Sequence, residues 1–230
     1  MSDADEWIPS STRKGKKIKS IAALSTNGPR AGGLASRSLD SIMTVVTRDL
    51  RNLVLPQSFK NSSFETIVAL GIGSFSTSDI ALSQLSALSM LCTIPTVEQV
   101  TCYDPIFNQT ELHALSSLKI HYQPDHLGIS SKSKSILYFM PHCDKFLYEL
   151  IIKQNIDHLS NVAIIGNDFR NYIITSTRDE SDYWKRVDAC VSKSAFSMKQ
   201  HFRPEVFNDT VMMRFEGQAA HELRRLMNLE

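Results

Sequence analysis

The sequence predicts an α/β fold: a Rossmann-like three-layer sandwich with a mostly parallel sheet and room for an antiparallel edge strand at the C-terminal end. Three observations carry this reading. Short apolar runs such as Thr66-Ile67-Val68-Ala69-Leu70 are continuous rather than alternating, as in strands covered on both faces. Segments of helical period separate these runs, which places helices on either side of the sheet. The first run also leads directly into Gly71-Ile72-Gly73-Ser74, a small-residue turn that opens a helix.

Taken in order, the elements start after an arm. Residues 1–36 are rich in Ser, Gly, Lys and Arg, lack a sustained period, and read as a mobile basic extension, leaving 37–230 as a single domain. A helix is expected over 38–54, because Leu39, Ile42, Met43, Val46, Leu50 and Leu53 share one face and Pro56 stops it. The strand at 66–70 follows, then a buried helix over 77–92 with Ser76 as N-cap. Later strands are expected at Gln99–Tyr103, Lys119–Tyr122, Ser135–Met140, Val162–Ile165, Lys199–Phe202 and Val211–Phe215. Helices are expected between several of them, at Thr110–Ser117, Lys145–Gln154, Tyr183–Ser194 and Gly217–Met227.

Composition narrows the function classes. With 230 residues, 42% hydrophobic and 21% charged, the chain can bury a real core. Twenty-five Lys and Arg against 24 Asp and Glu give a net charge of +1, so there is no strong nucleic-acid signal. The run Arg13-Lys14-Gly15-Lys16-Lys17-Ile18-Lys19 packs five cations into seven positions, and reads either as an import or nucleic-acid patch or as a solvated tail. No apolar stretch reaches membrane-spanning length and the N-terminus is acidic, so no membrane partner and an intracellular location are expected. Cys92, Cys102, Cys143 and Cys190 form no metal or redox motif and read as reduced thiols. The scattered histidines show no ligand spacing, so metal binding is not indicated.

In an open parallel sheet, ligands bind beyond the carboxyl ends of the strands. Polar and small residues follow four of the apolar runs: Gly71, Gly73 and Ser74; Asp104; His142; and Asn167. These six are the candidate ligand-binding set. The same residue types also build ordinary turns, so a structural role stands beside the functional one. The glycine loop lacks the third glycine of a dinucleotide fingerprint and the lysine of a P-loop. Asp104 has two readings: a carboxylate that holds ribose hydroxyls, or an Asx turn into Pro105. His142 and Cys143 have the residue types of an acid–base group and a nucleophile, yet adjacent strand-end side chains diverge and no third orienting group is evident. No catalytic residue is assigned.

Several segments together resemble a known family. They are Val68-Ala69-Leu70-Gly71-Ile72-Gly73-Ser74-Phe75, Cys102-Tyr103-Asp104-Pro105-Ile106-Phe107 and Tyr138-Phe139-Met140-Pro141-His142-Cys143, followed by Leu147-Tyr148, Ile164-Ile165-Gly166-Asn167-Asp168-Phe169 and Phe207-Asn208-Asp209-Thr210. In this order they resemble the sensitivity-to-red-light-reduced family of circadian and phytochrome-signalling proteins, in its animal and fungal form, over residues 66–215. Asp144 departs from the small residue, commonly Gly, expected after the His-Cys pair. The resemblance implies a regulatory protein of cytoplasm and nucleus, linked to circadian-clock output, haem-synthesis regulation and proliferation. It brings no settled reaction. Two function classes follow: a regulator acting through protein contacts, with or without a bound metabolite, and an enzyme or sensor for an adenosine-containing ligand such as S-adenosylmethionine, methyltransferase-like in type.

Overall fold

The structure is a computed structural model and describes residues 36–124 and 135–227, all within the unit Leu34–Glu230. The arm expected over 1–36, with its basic run, thus lies almost wholly outside the described residues. Helix α1 (Leu39–Asn52) starts where the Ser38 side chain accepts the Ser41 N–H, and it buries Ile42 and Val46. After Pro56 a single turn, α2 (Gln57–Lys60), leads to β1 (Thr66–Leu70). Helix α3 (Asp79–Leu91) is buried on most sides, then β2 (Gln99–Tyr103), α4 (Gln109–Ser117) and the two-residue β3 (His121–Tyr122) follow. The second half runs through β4 (Ile136–Met140), α5 (Lys145–Gln154), β5 (Val162–Asn167), α6 (Arg170–Thr175), α7 (Arg178–Ala189), β6 (Val191–Ala195), β7 (Thr210–Phe215) and α8 (Gly217–Met227).

The seven strands form one sheet in the order β3-β2-β1-β4-β5-β7-β6. Pairing is parallel from β3 through β5, whereas β7 runs antiparallel to both β5 and β6. The strand order reverses between β1 and β4, the switch point at which loops diverge and leave space beyond the carboxyl ends. Period-two alternation feeds two cores. Ile67 and Ala69 of β1, Leu137 and Phe139 of β4, and Ala163 and Ile165 of β5 pack with α1, α3 and α4. Val68 and Leu70, Tyr138 and Met140, and Val162 and Ile164 pack on the other face with α5, α7 and α8. This double burial is why the strands read as continuous apolar runs.

Four sequence expectations change. Helix α3 begins two residues later than expected: Ser78, not Ser76, caps it by accepting the Ala81 N–H, because Ser76 is held by α4 instead. The helix expected over 183–194 is α7 ending at Ala189, and 191–195 forms β6, whose sequence Val-Ser-Lys-Ser-Ala is too polar to read as an apolar strand. The strand expected at Lys199–Phe202 is a 3-10 turn, Lys199–His201. Lys119 belongs to no strand; it takes φ 58° in a Schellman cap, where Ile120 N–H reaches the Leu115 carbonyl at 2.9 Å and Lys119 N–H reaches that of Ser116 at 3.0 Å.

Candidate functional site

The six candidate residues all lie at the carboxyl ends of the neighbouring strands β2, β1, β4 and β5, and they fall into two bonded clusters. The first is the glycine loop after β1. Gly71 and Gly73 have φ +65° and +82°, a left-handed backbone that side chains rarely adopt. The Gly73 N–H donates to Asp104 Oδ2 at 2.8 Å, and the Ile106 N–H donates to Asp104 Oδ1 at 3.1 Å. The second bond is the Asx turn. Asp104 is therefore a clamp between β1 and β2, only 5% exposed. Burial pushes its carboxyl pKa up, the nearby Glu111 charge adds to this, and the two backbone N–H bonds oppose it.

Glu111 holds the rest of the loop. It is fully buried, and accepts the Ser74 hydroxyl at 2.6 Å, the Ser76 N–H at 2.9 Å and the Asn108 N–H at 2.8 Å. With the Glu111 N–H donated to Asn108 Oδ1 at 3.1 Å, this completes the capping box of α4. The signal was in the sequence: Asn108-x-x-Glu111 has the spacing of a capping box, but nothing local shows that the same carboxylate also reaches a loop 37 residues away.

The second cluster joins the ends of β4 and β5. His142 has φ 59° and donates its backbone N–H to Asn167 Oδ1 at 3.0 Å. The Asn167 amide nitrogen donates to the Cys143 carbonyl at 3.2 Å and to Tyr172 Oη at 3.0 Å. Tyr148 Oη donates to the Met140 carbonyl and accepts the Asn167 N–H at 2.9 Å. A Cβ on Gly166 would fall 2.5 Å from that hydroxyl, so only glycine admits Tyr148 here. Tyr148 and Tyr172 were missed as site residues because they arrive from α5 and α6 rather than from strand ends.

Cys143 bridges the clusters across the switch point. Its thiol donates to the Leu70 carbonyl at 3.1 Å, and its sulfur lies 2.7 Å from where a Cβ on Gly71 would stand. Burial pushes this thiol far above the ordinary cysteine range, with the charges of Asp104 and Asp144 adding to it, so it is a poor nucleophile. Beyond β5, Asp168 behaves oppositely: burial alone would raise its carboxyl, yet hydrogen bonds from Arg170 and Lys193 outweigh this and hold it well below the usual carboxylate range. Among the described residues no group of three or more His, Cys, Asp or Glu stands ready for a metal ion, and no helix is long and apolar enough to cross a membrane.

Sheet order and strand-end loops together define a doubly wound, Rossmann-like α/β protein with a side-chain-braced carboxyl rim. The SRR1 domain model matches residues 40–214, about three quarters of the chain, and the chain belongs to this family. An SRR1-like protein of Mus musculus is 31% identical over 140 residues, covering 54% of this chain and 56% of the relative. Protein SENSITIVITY TO RED LIGHT REDUCED 1 of Arabidopsis thaliana is 32% identical over 115 residues, 46% of this chain and 40% of the relative. An SRR1-like protein of Drosophila melanogaster is 27% identical over 154 residues, 66% and 55% of the two chains. The chain spans about half the length of these curated relatives. Among solved structures it is similar to a chain described as cmcI-N160 SAH, with a TM-score of 0.45 and 14% identity, covering 91% of this chain and 98% of that one. It is also similar to the plantazolicin methyltransferase BpumL in complex with a desmethylPZN analogue and SAH, with a TM-score of 0.35 and 14% identity, covering 80% and 79%.

Proposed function

We propose that this chain is a signalling regulator that acts through protein contacts made by a rigid Rossmann-like domain, rather than through a bound metabolite. One observation carries the reading: two of the glycine-loop amides are already taken by the chain's own buried carboxylates. Gly73 N–H is bound by Asp104 and Ser76 N–H by Glu111, while Cys143 sulfur occupies the space beside Gly71. An anion or ribose arriving at this loop would have to displace buried, charge-assisted bonds, each worth about 1.5–3 kcal/mol. The names of the relatives support a signalling setting, and the proposed field of action is circadian-clock output, haem-synthesis regulation and proliferation, in cytoplasm and nucleus.

The test is a thermal-shift titration with S-adenosylmethionine, S-adenosylhomocysteine, NAD, ATP and haem. A ligand at 100 times its Kd would add about 2.7 kcal/mol, a rise of roughly 5–10 °C for a domain of this size. No shift at millimolar nucleotide is expected. A saturable shift with an adenosine-containing ligand would overturn the contact reading and favour the second one. The observation favouring that second reading is the pair of left-handed glycines after β1 facing an acid at the end of β2.

A further inference from the structure

The two ends of the sheet differ in how their open edges are protected. Strand β3 forms one end with only two residues, His121–Tyr122, and so short a strand offers little to pair with. Strand β6 forms the other end with five, Val191–Ala195. It contains no proline, and its register runs from Val191 opposite Phe215 to Ala195 opposite Val211 without a bulge. Residues of an antiparallel pair alternate between those that bond the partner strand and those whose N–H and C=O point away from it. Two bonds at the ends of the ladders fix which are which. Glu216 N–H donates to the Cys190 carbonyl, one step beyond the β6–β7 register, and Asp168 N–H donates to the Asp209 carbonyl, one step beyond that of β5–β7. Both give the same parity: Cys190, Ser192 and Ser194 bond β7, whereas Val191, Lys193 and Ala195 turn their backbone groups outward. Among the described residues nothing bonds these outward groups.

A lysine guards an edge strand when pairing would bury an unmatched charge. Lys193 is not such a guard. Its Nζ lies 2.7 Å from Asp168 Oδ1 and also bonds Asp188 Oδ1, so its charge is neutralised within the chain. The rest of β6 is uncharged, and Ser192, Ser194 and Ala195 are small and exposed. A charged partner strand finds no counter-charge here, whereas a strand as neutral as β6 itself needs none. The outward positions are also symmetric about Lys193. Laid antiparallel on another β6, the strand sets Val191 against Ala195 and Lys193 against its own counterpart, so the outward groups of the two copies meet in register. We propose that β6 is a dimerisation edge, on which the β6 of a second copy of this chain pairs antiparallel about a two-fold axis at Lys193 and joins the two sheets into one. This goes beyond the contact reading above and does not rest on it, since β5 and β7 separate β6 from the switch point at β1 and β4.

In this register Ser192 of one copy stands directly opposite Ser194 of the other, in the close non-hydrogen-bonded pairing with about 4.5 Å between Cα atoms. Sedimentation equilibrium of the full chain tests the pairing, over a concentration series up to about 1 mM that reaches weak interfaces. The native chain should pass from monomer to dimer; a monomer throughout overturns the proposal. Ser192→Glu/Ser194→Glu sets like charges opposite each other twice, and should weaken the dimer roughly tenfold. Ser192→Glu/Ser194→Lys sets opposite charges there, and should dimerise at least as tightly as the native chain. Position 192 takes the acid in both variants because Arg214 faces it from β7. Both serines are exposed, so the variants should melt as the native chain does. A dimer that tolerates the double glutamate variant is held elsewhere and overturns the proposal, as does failure of the Glu–Lys variant to dimerise. Hydrogen exchange of the native chain tests the register without any substitution. The amides of Val191, Lys193 and Ala195 should exchange more slowly as concentration rises, and exchange that stays unchanged while the chain dimerises also overturns the proposal.

Discussion

The clamp assigned to Asp104 can be tested by comparing Asp104→Asn with Asp104→Ala. The native carboxylate accepts two backbone N–H groups, from Gly73 at 2.8 Å and from Ile106 at 3.1 Å. Asparagine offers one acceptor oxygen, so one bond survives in neutral form while its NH2 faces the other N–H donor to donor. A buried, unsatisfied N–H costs about 1–3 kcal/mol, and part of this is returned because the variant no longer buries a charge. The net expectation is a loss of about 2 kcal/mol for asparagine and about 3 kcal/mol for alanine, which orphans both donors. For a domain of this size, these correspond to melting temperatures lower by roughly 4–8 °C and 6–12 °C. Urea denaturation followed by circular dichroism at pH 7 gives the free energies directly. The pH dependence has a definite sign. Because burial raises the folded-state pKa of Asp104, its contribution is fully present below the unfolded value of about 3.9 and is lost as pH rises through the folded value. The deficit of Asp104→Asn should therefore grow as the pH is lowered from neutral toward 4. An asparagine variant as stable as the native chain would refute the two-donor clamp, as would a deficit that shrinks on mild acidification.

Three further outcomes follow from the same geometry. Gly71→Ala should lose about 3 kcal/mol, from the left-handed backbone at φ +65° and from the Cys143 sulfur 2.7 Å from the new Cβ; in a double-mutant cycle with Cys143→Ala, at least about 1 kcal/mol of that loss should vanish. Lys119→Gly should raise stability by about 0.5 kcal/mol in urea melts, since relief of strain at φ 58° exceeds the added freedom of the unfolded chain. Asp168, held below the usual carboxylate range, contributes stability that is present above its unfolded pKa of about 3.9 and is lost as pH falls through the folded value. Asp168→Asn should thus be destabilised at pH 7, and the gap should close in acid titrations below about pH 3.

The parallel core of the fold was legible because burial on both faces leaves a strong mark: Ile67 to Leu70 and Ile136 to Met140 are apolar without interruption. The polar β6 was not legible. As the outermost strand it needs no second buried face, and Ser192, Lys193 and Ser194 carry no apolar period. The candidate site divides the same way. Strand-end position alone brought Gly71, Gly73, Ser74, Asp104, His142 and Asn167 to one rim. What side chains do there depends on partners far along the chain. Glu111 reaches Ser74 across 37 residues, Cys143 reaches Leu70 across 73, and His142 reaches Val206 across 64. Such pairings arise from strand order, which a local period does not encode.

The bracing of the rim bears on how it can bind. Association costs free energy for every loop and side chain that must be ordered, and a surface fixed beforehand avoids that cost. Here the loops on either side of the switch point are tied to each other and to the sheet. Asp104 and Glu111 fix the turn after β1, Asn167 and Tyr172 fix the turn after β4, and the Cys143 thiol joins the two. A metabolite site of this fold class usually needs exposed loop amides that wait for an anion. In this chain two of the loop amides, those of Gly73 and Ser76, are spent on making the loops rigid. That distribution suits a surface read by a macromolecule better than a pocket that encloses a nucleotide.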